Sequence, residues 1–172
     1  DQFTEELRLL AVIDDLTSLH NRRGFYLLAD QQLKHADRLR RRLLFFFADV
    51  DGLKKINDTL GHDAGDTVIR DAAVVLEDVF RVSDIVARVG GDEFAIVAVD
   101  AHPDTAHLFP ERLEQLLAEY NAEEQAHPFK LAISMGSTVY DPERPETLDS
   151  LLKRADALMY EHKAGKKSAP SS

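Results

Sequence analysis

The sequence predicts a single domain of the α+β class, in which helices pack around strands. Residues 43–48 are apolar at every position, which indicates a strand buried on both faces. Two further apolar stretches, residues 85–87 and 94–99, flank a Gly-Gly pair, and this arrangement predicts a β-hairpin. Apolar residues recur at helical spacing in the segments between these strands and on either side of them.

The composition is typical of this fold class and argues against several classes of function. With 172 residues, 44% apolar and 30% charged, the chain is long enough for one domain with its own core. It contains no cysteine, which excludes disulfides and thiolate metal sites and is compatible with a cytoplasmic location. The net charge of −10 argues against a general binder of nucleic acid, but it leaves room for a local basic nucleotide pocket. No apolar run reaches the length of a membrane span, and no signal peptide is visible.

The remaining elements follow from periodicity and capping. Helices are predicted over residues 2–12, 25–42, 67–80, 105–122 and 148–163, and a further strand over residues 129–139. Asn21 is a predicted N-cap, and Pro110 should displace or kink the first turn of its helix. The arginines at 38, 40, 41 and 42 are interpreted as a solvated helix end rather than a nucleic-acid patch.

The hairpin tip is the most informative stretch. We expect Gly90 and Gly91 to take the positive φ angles of a tight turn, with Asp92 and Glu93 directly after them. Two adjacent carboxylates raise each other's pKa unless a cation lies between them, and Mg²⁺ is held by one or two carboxylates plus substrate phosphates. The alternative is a polar hairpin tip without a ligand.

A second acidic position follows the first buried strand. Asp49 stands at the end of that strand, and Asp51 follows two residues later. If this strand pairs beside the hairpin, Asp49 and Asp92 can converge on one or two cations that brace a phosphoryl group. Asp51 shares that strand face only if the strand continues, so it is a weaker candidate metal ligand than Asp49.

Several separated motifs resemble one family, the bacterial diguanylate cyclases with a GGDEF signature. Residues 88–94 resemble the signature itself, and the resemblance continues in residues 14–23, 49–58, 61–66 and 155–163. Arg81 and Asp84 form an Arg-x-x-Asp pattern at the family's spacing before Gly90. The resemblance implies a central, mainly antiparallel five-stranded sheet flanked by helices, similar to the palm of adenylyl cyclases and polymerases, with the signature on a hairpin.

The resemblance also implies an activity. Two GTP molecules would be condensed into cyclic di-GMP with release of two pyrophosphates, in a homodimer that uses Mg²⁺ or Mn²⁺. Residues 1–13 would be the end of a signalling helix from an upstream sensor, residues 14–167 the catalytic domain and residues 168–172 a disordered tail. We expect a cytoplasmic domain that binds no nucleic acid and makes no direct membrane contact. Because the chain starts at Asp1 without methionine, we expect a fragment of a longer protein, which can be membrane-tethered. Because it has no evident dimerisation element beyond its first helix, we expect weak activity of the isolated domain.

Roles at single positions follow from the same resemblance. The implied metal ligands are Asp49, the Val50 carbonyl and Asp92, and the implied catalytic residues are Asp92, Glu93 and Lys54. Substrate contacts are expected from Lys54, Asn57, Asp66, Lys163 and Lys167, and inhibitory product contacts from Arg81, Asp84, Arg88 and Arg112. The role of Glu93 stays open: it is either a metal ligand or the base that deprotonates the attacking hydroxyl. The sequence departs from the family pattern at Leu53, at Ser18 and at Gly165, which comes one place early and leaves both Lys166 and Lys167 open as the phosphate contact.

Two other functions remain as alternatives. A regulatory module would bind GTP or cyclic di-GMP without turnover, which the intact Asp49, Asp92 and Glu93 disfavour. A metal-dependent nuclease is disfavoured by the acidic net charge and by a pocket that favours guanine.

Overall fold

The structure is a computed structural model that describes residues 1–123 and 127–168, apart from the side chains of residues 8–10, 167 and 168. In chain order its elements are α1 (Gln2–Leu10), α2 (Arg22–Leu39), β1 (Leu43–Val50), α3 (Leu53–Leu60), α4 (His62–Val79), β2 (Ile85–Arg88), β3 (Glu93–Ala98), a short 3-10 helix (Pro103–Thr105), α5 (Leu108–Ala122), β4 (Ile133–Tyr140) and α6 (Leu148–Ser168). No helix in these described ranges is long and apolar enough to cross a membrane.

The described residues form one antiparallel sheet in the order β2-β3-β1-β4, so the predicted fifth strand is wrong. The ladder between β1 and β4 ends at the pair Val50 and Ile133. After β1 the chain turns at Gly52 (φ 72°) into α3. Beyond the ladder the Asp51 amide donates to the Ala132 carbonyl at 2.9 Å, and β4 begins at Ile133 rather than at the predicted residue 129. The amide of Leu131 instead donates to the Asn121 side chain, and the Leu131 carbonyl accepts from it, both at 2.9 Å. The likeness to the palm of cyclases and polymerases stays a prediction.

The central strand β1 is buried on both faces, as its apolar sequence predicts. Alternate residues such as Phe46 pack towards α4 and α5, and the residues between them, such as Phe45, pack towards α2 and α6. Asp49 continues the second face at the end of the strand. Its side chain therefore lies on the side of the sheet that α6 covers.

The helix boundaries are set by local capping and differ from those that periodicity predicts. The Asn21 side chain accepts from the Gly24 amide at 2.9 Å, which confirms the predicted N-cap and starts α2 at Arg22. The helix ends at Leu39 because Arg40 is left-handed, with φ 55°. Helix α4 begins at His62, five residues earlier than predicted. Helix α5 begins at Leu108, so Pro110 falls in the first turn, where no backbone N–H is required.

Helix α6 covers the open edge of β4 with side chains. Lys166 donates to the Ile133 carbonyl at 2.8 Å, the Met135 amide donates to Nδ1 of His162 at 3.2 Å, and Arg154 donates to the Val139 carbonyl at 3.2 Å. These contacts satisfy backbone groups that an exposed edge strand would offer to another chain. The predicted tail begins at Ser168, which ends α6, and its residues 169–172 lie outside the described part.

Candidate active site

The signature hairpin lies beside the end of the central strand. Strands β2 and β3 pair from Arg88 opposite Phe94, which confirms the predicted hairpin. Asp49 on β1 is the register partner of Glu93 on β3, and the Val50 amide donates to the Asp92 carbonyl at 3.0 Å. The fold thus brings Asp49, Val50 and Asp92 together, as predicted.

The two signature glycines do not adopt the expected backbone. Neither Gly90 nor Gly91 has a positive φ, so that prediction is wrong. The reason is the loop length: four residues, 89–92, connect the strands, and the Glu93 carbonyl accepts from the Val89 and Gly90 amides at 2.9 and 3.3 Å. A two-residue turn of the primed type, which needs positive φ, is therefore not formed.

The Asp49 carboxyl is mostly shielded from solvent, and one of its two oxygens has no hydrogen-bond partner among the described residues. Burial and the neighbouring Asp92 together raise its pKa to about 7, although Lys163 acts in the opposite direction. Oδ2 pairs with the Lys163 amine at 3.2 Å, but Oδ1 is buried and has no hydrogen-bond partner among the described residues. A divalent cation would supply that partner and would favour both ionised carboxylates.

The donor set suits a hard cation held jointly with a phosphate. The described residues contain no group of three or more His, Cys, Asp or Glu side chains placed to hold a metal. Asp49 and Asp92 bring two carboxylates to this point, and the Val50 backbone adjoins them through its amide, which donates to the Asp92 carbonyl. Mg²⁺ commonly takes few protein ligands and completes its shell with water and substrate phosphate, so the residues fit that ion.

Glu93 lies on the same face as Asp49, beneath the hairpin loop. A Cβ placed on Gly90 would come within 2.9 Å of Oε2 of Glu93, so the absence of a side chain at residue 90 makes room for this carboxylate. Burial raises the pKa of Glu93, and so do the charges of Asp92 and Asp156, while Arg22 partly offsets them.

A cleft of about 480 Å³ opens beside the acidic pair. Its lining includes Asp92, Asp51 and the three lysines 54, 163 and 166. Asp51 accepts from Lys166 at 3.1 Å and lies 3.8 Å from the Lys163 amine, and the Ser134 hydroxyl also donates to it. Acidic and basic groups thus alternate around the cleft, which suits a ligand that carries phosphates and a cation.

The structure describes one of the two candidate lysine side chains at the end of the last helix. Lys166 reaches the cleft, whereas the side chain of Lys167, the predicted substrate contact, lies outside the described residues. Sequence reasoning named Lys166 only as an alternative, and it gave Asp51 no partner. The early glycine at residue 165 was the signal that the pattern had shifted.

The two predicted guanine contacts lie at the junction of α3 and α4. Asn57 on α3 packs against Gly65 on α4, where a Cβ would come within 1.7 Å of the Asn57 Oδ1 atom. Asp66 follows Gly65 directly and is exposed. Asn57 thus packs against the residue that precedes Asp66, and the lack of a side chain at Gly65 leaves room for the Asn57 amide.

Three of the four predicted inhibitory residues line a separate cavity of about 560 Å³, which contains Arg81, Asp84 and Arg112. The Asp84 carboxylate accepts from the amides of Arg81 and Val99, each at 2.9 Å, and so holds the turn between α4 and β2. Arg112 donates through Nε to the Asp78 carbonyl at 3.0 Å.

Arg88, the fourth predicted inhibitory residue, points elsewhere. Its guanidinium donates to the Gly91 carbonyl through Nε at 3.1 Å and Nη2 at 2.9 Å, and to Asp14 through Nη1 at 3.2 Å. Asp14 in turn accepts from the Thr17 amide and hydroxyl. Arg88 thus ties the signature loop to residues 14–17, a contact that the sequence alone did not reveal.

Comparison with known proteins places these features in a family. The family model described as "Diguanylate cyclase, GGDEF domain" matches residues 11–169. The chain is similar to the probable diguanylate cyclase DgcJ of Escherichia coli K12, with 34% identity over 91% of this chain and 30% of DgcJ. It is also similar to the cyclic di-GMP phosphodiesterase NbdA of Pseudomonas aeruginosa, with 35% identity over 95% of this chain and 21% of NbdA. The chain therefore spans about a third or less of the length of these two relatives.

Solved structures show the same architecture. The GGDEF domain of DgcB from Caulobacter crescentus, in complex with c-di-GMP, aligns with a TM-score of 0.77 and 31% identity, covering 90% of this chain and 91% of that domain. The isolated GGDEF domain of TpbB from Pseudomonas aeruginosa aligns with a TM-score of 0.78 and 35% identity, covering 89% of each chain.

Proposed function

Because the chain belongs to the GGDEF domain family of diguanylate cyclases, we propose that it condenses two GTP molecules into cyclic di-GMP with release of two pyrophosphates. The observation that carries this proposal is the meeting of Asp49 and Asp92 beside a cleft lined by three lysines. Such an arrangement suits phosphoryl transfer, in which positioning and neutralisation of charge do most of the work.

Asp49, Asp92 and the Val50 carbonyl would hold the divalent cation, Mg²⁺ or Mn²⁺. The bound cation would neutralise charge on the phosphates and polarise the phosphorus that is attacked. The buried Oδ1 atom of Asp49 supports this assignment, since it has no other described partner.

The lysines would bind the phosphate chain. Lys54, Lys163 and Lys166 reach the cleft from the start of α3 and from the end of α6, so they approach a ligand from two elements. Lys163 and Lys166 are paired with Asp49 and Asp51, which holds their amines at the cleft. Lys167 stays a predicted substrate contact.

Asn57 and Asp66 would hold the base. Guanine offers two donors on one edge, N1–H and the N2 amine, which the Asp66 carboxylate can accept together. Adenine has an acceptor at N1 and no N2 amine, so its N1 lone pair would face the carboxylate and no hydrogen bond would form, which favours guanine. The proposed substrate is therefore GTP rather than ATP.

Glu93 would serve the reaction as a ligand or as a base for the attacking 3′-hydroxyl. Its raised pKa suits a proton acceptor. The Glu93→Gln variant separates the roles: loss of Mn²⁺ affinity identifies a ligand, and a loss of kcat at unchanged Mn²⁺ affinity identifies a base.

The reaction requires two domains, since each would hold one GTP and present its 3′-hydroxyl to the other. Arg81, Asp84 and Arg112 would bind the product in their separate cavity and inhibit turnover. Arginine can donate two hydrogen bonds to O6 and N7 of guanine. We place the domain in the cytoplasm, where it would act downstream of a sensor in the parent protein.

The test is product formation by a forced dimer. The chain is fused to a dimerising coiled coil, supplied with GTP and Mg²⁺, and assayed for cyclic di-GMP by chromatography. Product from the fusion, and its loss in the Asp92→Asn fusion, supports the proposal. ATP in place of GTP should give no cyclic product.

A second candidate is a regulatory module that binds GTP or cyclic di-GMP without turnover. The similarity of the chain to NbdA, a relative named as a phosphodiesterase, favours this second function. Binding of GTP by the fused dimer without any cyclic di-GMP would support the module and overturn the enzyme.

A further inference from the structure

The cavity that holds Arg81, Asp84 and Arg112 has an additional polar lining residue, His102. We infer that His102 is a further ligand contact in this cavity and donates a hydrogen bond from Nε2 to the bound cyclic dinucleotide. The inference rests on the proposed product site and extends it to a residue outside the Arg-x-x-Asp pattern. His102 lies in the loop between β3 and α5, far along the chain from Arg81.

The hydrogen bonds of the ring fix which nitrogen is available. The Asp104 amide donates to Nδ1 of His102 at 3.2 Å, which caps the short 3-10 helix, and the Asp104 carboxylate lies 3.4 Å from the same nitrogen. Both contacts are at Nδ1, and a ring that accepts from an amide at Nδ1 carries a proton on Nε2. Nε2–H is therefore left for a ligand, and the cap holds the ring in one orientation.

The charges of the cavity explain why such a donor is needed. Its lining contains three carboxylates, from Asp78, Asp84 and Asp100, but only two guanidinium groups. A cyclic dinucleotide brings two negative phosphodiesters into this surrounding. Arg112 already uses Nε on the Asp78 carbonyl, so only its terminal N–H groups remain for a ligand. A donor without negative charge beside these arginines favours binding of an anion.

His102 could matter for a purely structural reason, because it caps the loop that borders the cavity. The His102→Asn variant separates the two roles. Asparagine is among the best N-cap residues, so its side chain can still accept from the Asp104 amide. It is too short to replace Nε2. The matched control is His107→Ala, which removes an exposed histidine of the same segment that is not part of the cavity lining.

The experiment is a calorimetric titration of the full chain with cyclic di-GMP. We expect Arg81→Ala to abolish high-affinity binding. Both His102→Ala and His102→Asn should weaken binding about tenfold, as expected for the loss of one hydrogen bond to a charged group. His107→Ala should bind as the wild type does. If His102→Asn binds with wild-type affinity while Arg81→Ala remains defective, the role of His102 is refuted and the product site stands. If the wild type does not bind, or if Arg81→Ala has no effect, the product site itself is refuted, and the role of His102 with it.

Discussion

The amine of Lys163 lies 3.2 Å from Oδ2 of Asp49, so a proposed phosphate contact is paired with a proposed metal ligand. Burial lowers the pKa of Lys163, but its hydrogen bond to Asp49 and the charges of Asp49, Asp51 and Asp92 raise it overall. The lysine therefore stays charged at neutral pH and offsets part of the negative charge at the site. A cation bound by Asp49 would compete with this pair and free the amine for a phosphate.

The raised pKa of Asp49 predicts a pH-dependent stability. With a pKa of about 7, the folded protein binds this proton more tightly than the unfolded chain, in which the ordinary value is near 4. The contribution of Asp49 to the free energy of unfolding is therefore fully present below about pH 4 and falls as the pH rises towards 7. In urea titrations with EDTA, the Asp49→Asn variant should gain stability relative to the wild type between pH 5 and pH 8. A difference that does not change with pH would contradict the assignment, and the exposed Asp100→Asn serves as control.

Lys166 should be a substrate contact although the family pattern points one residue further. Its amine lines the cleft and is held by Asp51 and the Ile133 carbonyl. The Lys166→Ala variant of the fused dimer should raise KM for GTP about tenfold or more, since a charge-assisted hydrogen bond is lost. The exposed Lys153→Ala on the same helix is the control. An unchanged KM for Lys166→Ala would assign the role to another group.

The contact between Arg88 and Asp14 should stabilise the signature loop. Both side chains are mostly shielded from solvent, 20% and 18% exposed, and Arg88 also donates twice to the Gly91 carbonyl. Arg88→Lys cannot keep this forked geometry, so we expect a loss of about 1–3 kcal/mol in the free energy of unfolding. Hydrogen exchange at residues 89–92 should accelerate in the same variant. Protection equal to the wild type would mean that the loop holds its shape without Arg88.

Burial would raise the pKa of Asp14, but the hydrogen bonds from Thr17 and the pairing with Arg88 lower it overall. The Asp14 contribution to stability is therefore present above about pH 4 and lost at lower pH.

Local patterns in the sequence were sufficient for most of the fold. The apolar run in β1, the hairpin and the Asn21 cap are each determined by neighbouring residues, and each is confirmed. The start of β4 could not be predicted in this way. It depends on where β1 ends and on the Asn121 side chain, which lies on another element.

The candidate site was likewise predictable from local sequence only in part. Asp49 and Asp92 were identifiable because each carboxylate follows a strand or turn signal. The pairing of Asp51 with Lys166, and of Arg88 with Asp14, joins residues more than 70 positions apart, so no local pattern could indicate it. The backbone of Gly90 and Gly91 was mispredicted because it depends on the four-residue length of the loop rather than on glycine itself.

Gly65 offers a test of the proposed guanine site. An added Cβ would meet the Asn57 Oδ1 atom at 1.7 Å, so Gly65→Ala should displace Asn57, destabilise the fold and weaken GTP binding. In an Asn57→Ala background the clash is gone, and the same substitution should stabilise by about 0.5–1 kcal/mol, because alanine is the better helix residue. Thermal unfolding of the four proteins in this cycle measures the coupling. Equal effects of Gly65→Ala in both backgrounds would contradict the contact.

The sharing of one cation by Asp49 and Asp92 is tested most directly by Mn²⁺ binding, followed by electron paramagnetic resonance in the presence of a non-hydrolysable GTP analogue. We expect Asp49→Asn and Asp92→Asn each to weaken Mn²⁺ binding at least tenfold, while Asp100→Asn leaves it unchanged. Wild-type Mn²⁺ affinity in both Asp49→Asn and Asp92→Asn would contradict the shared site.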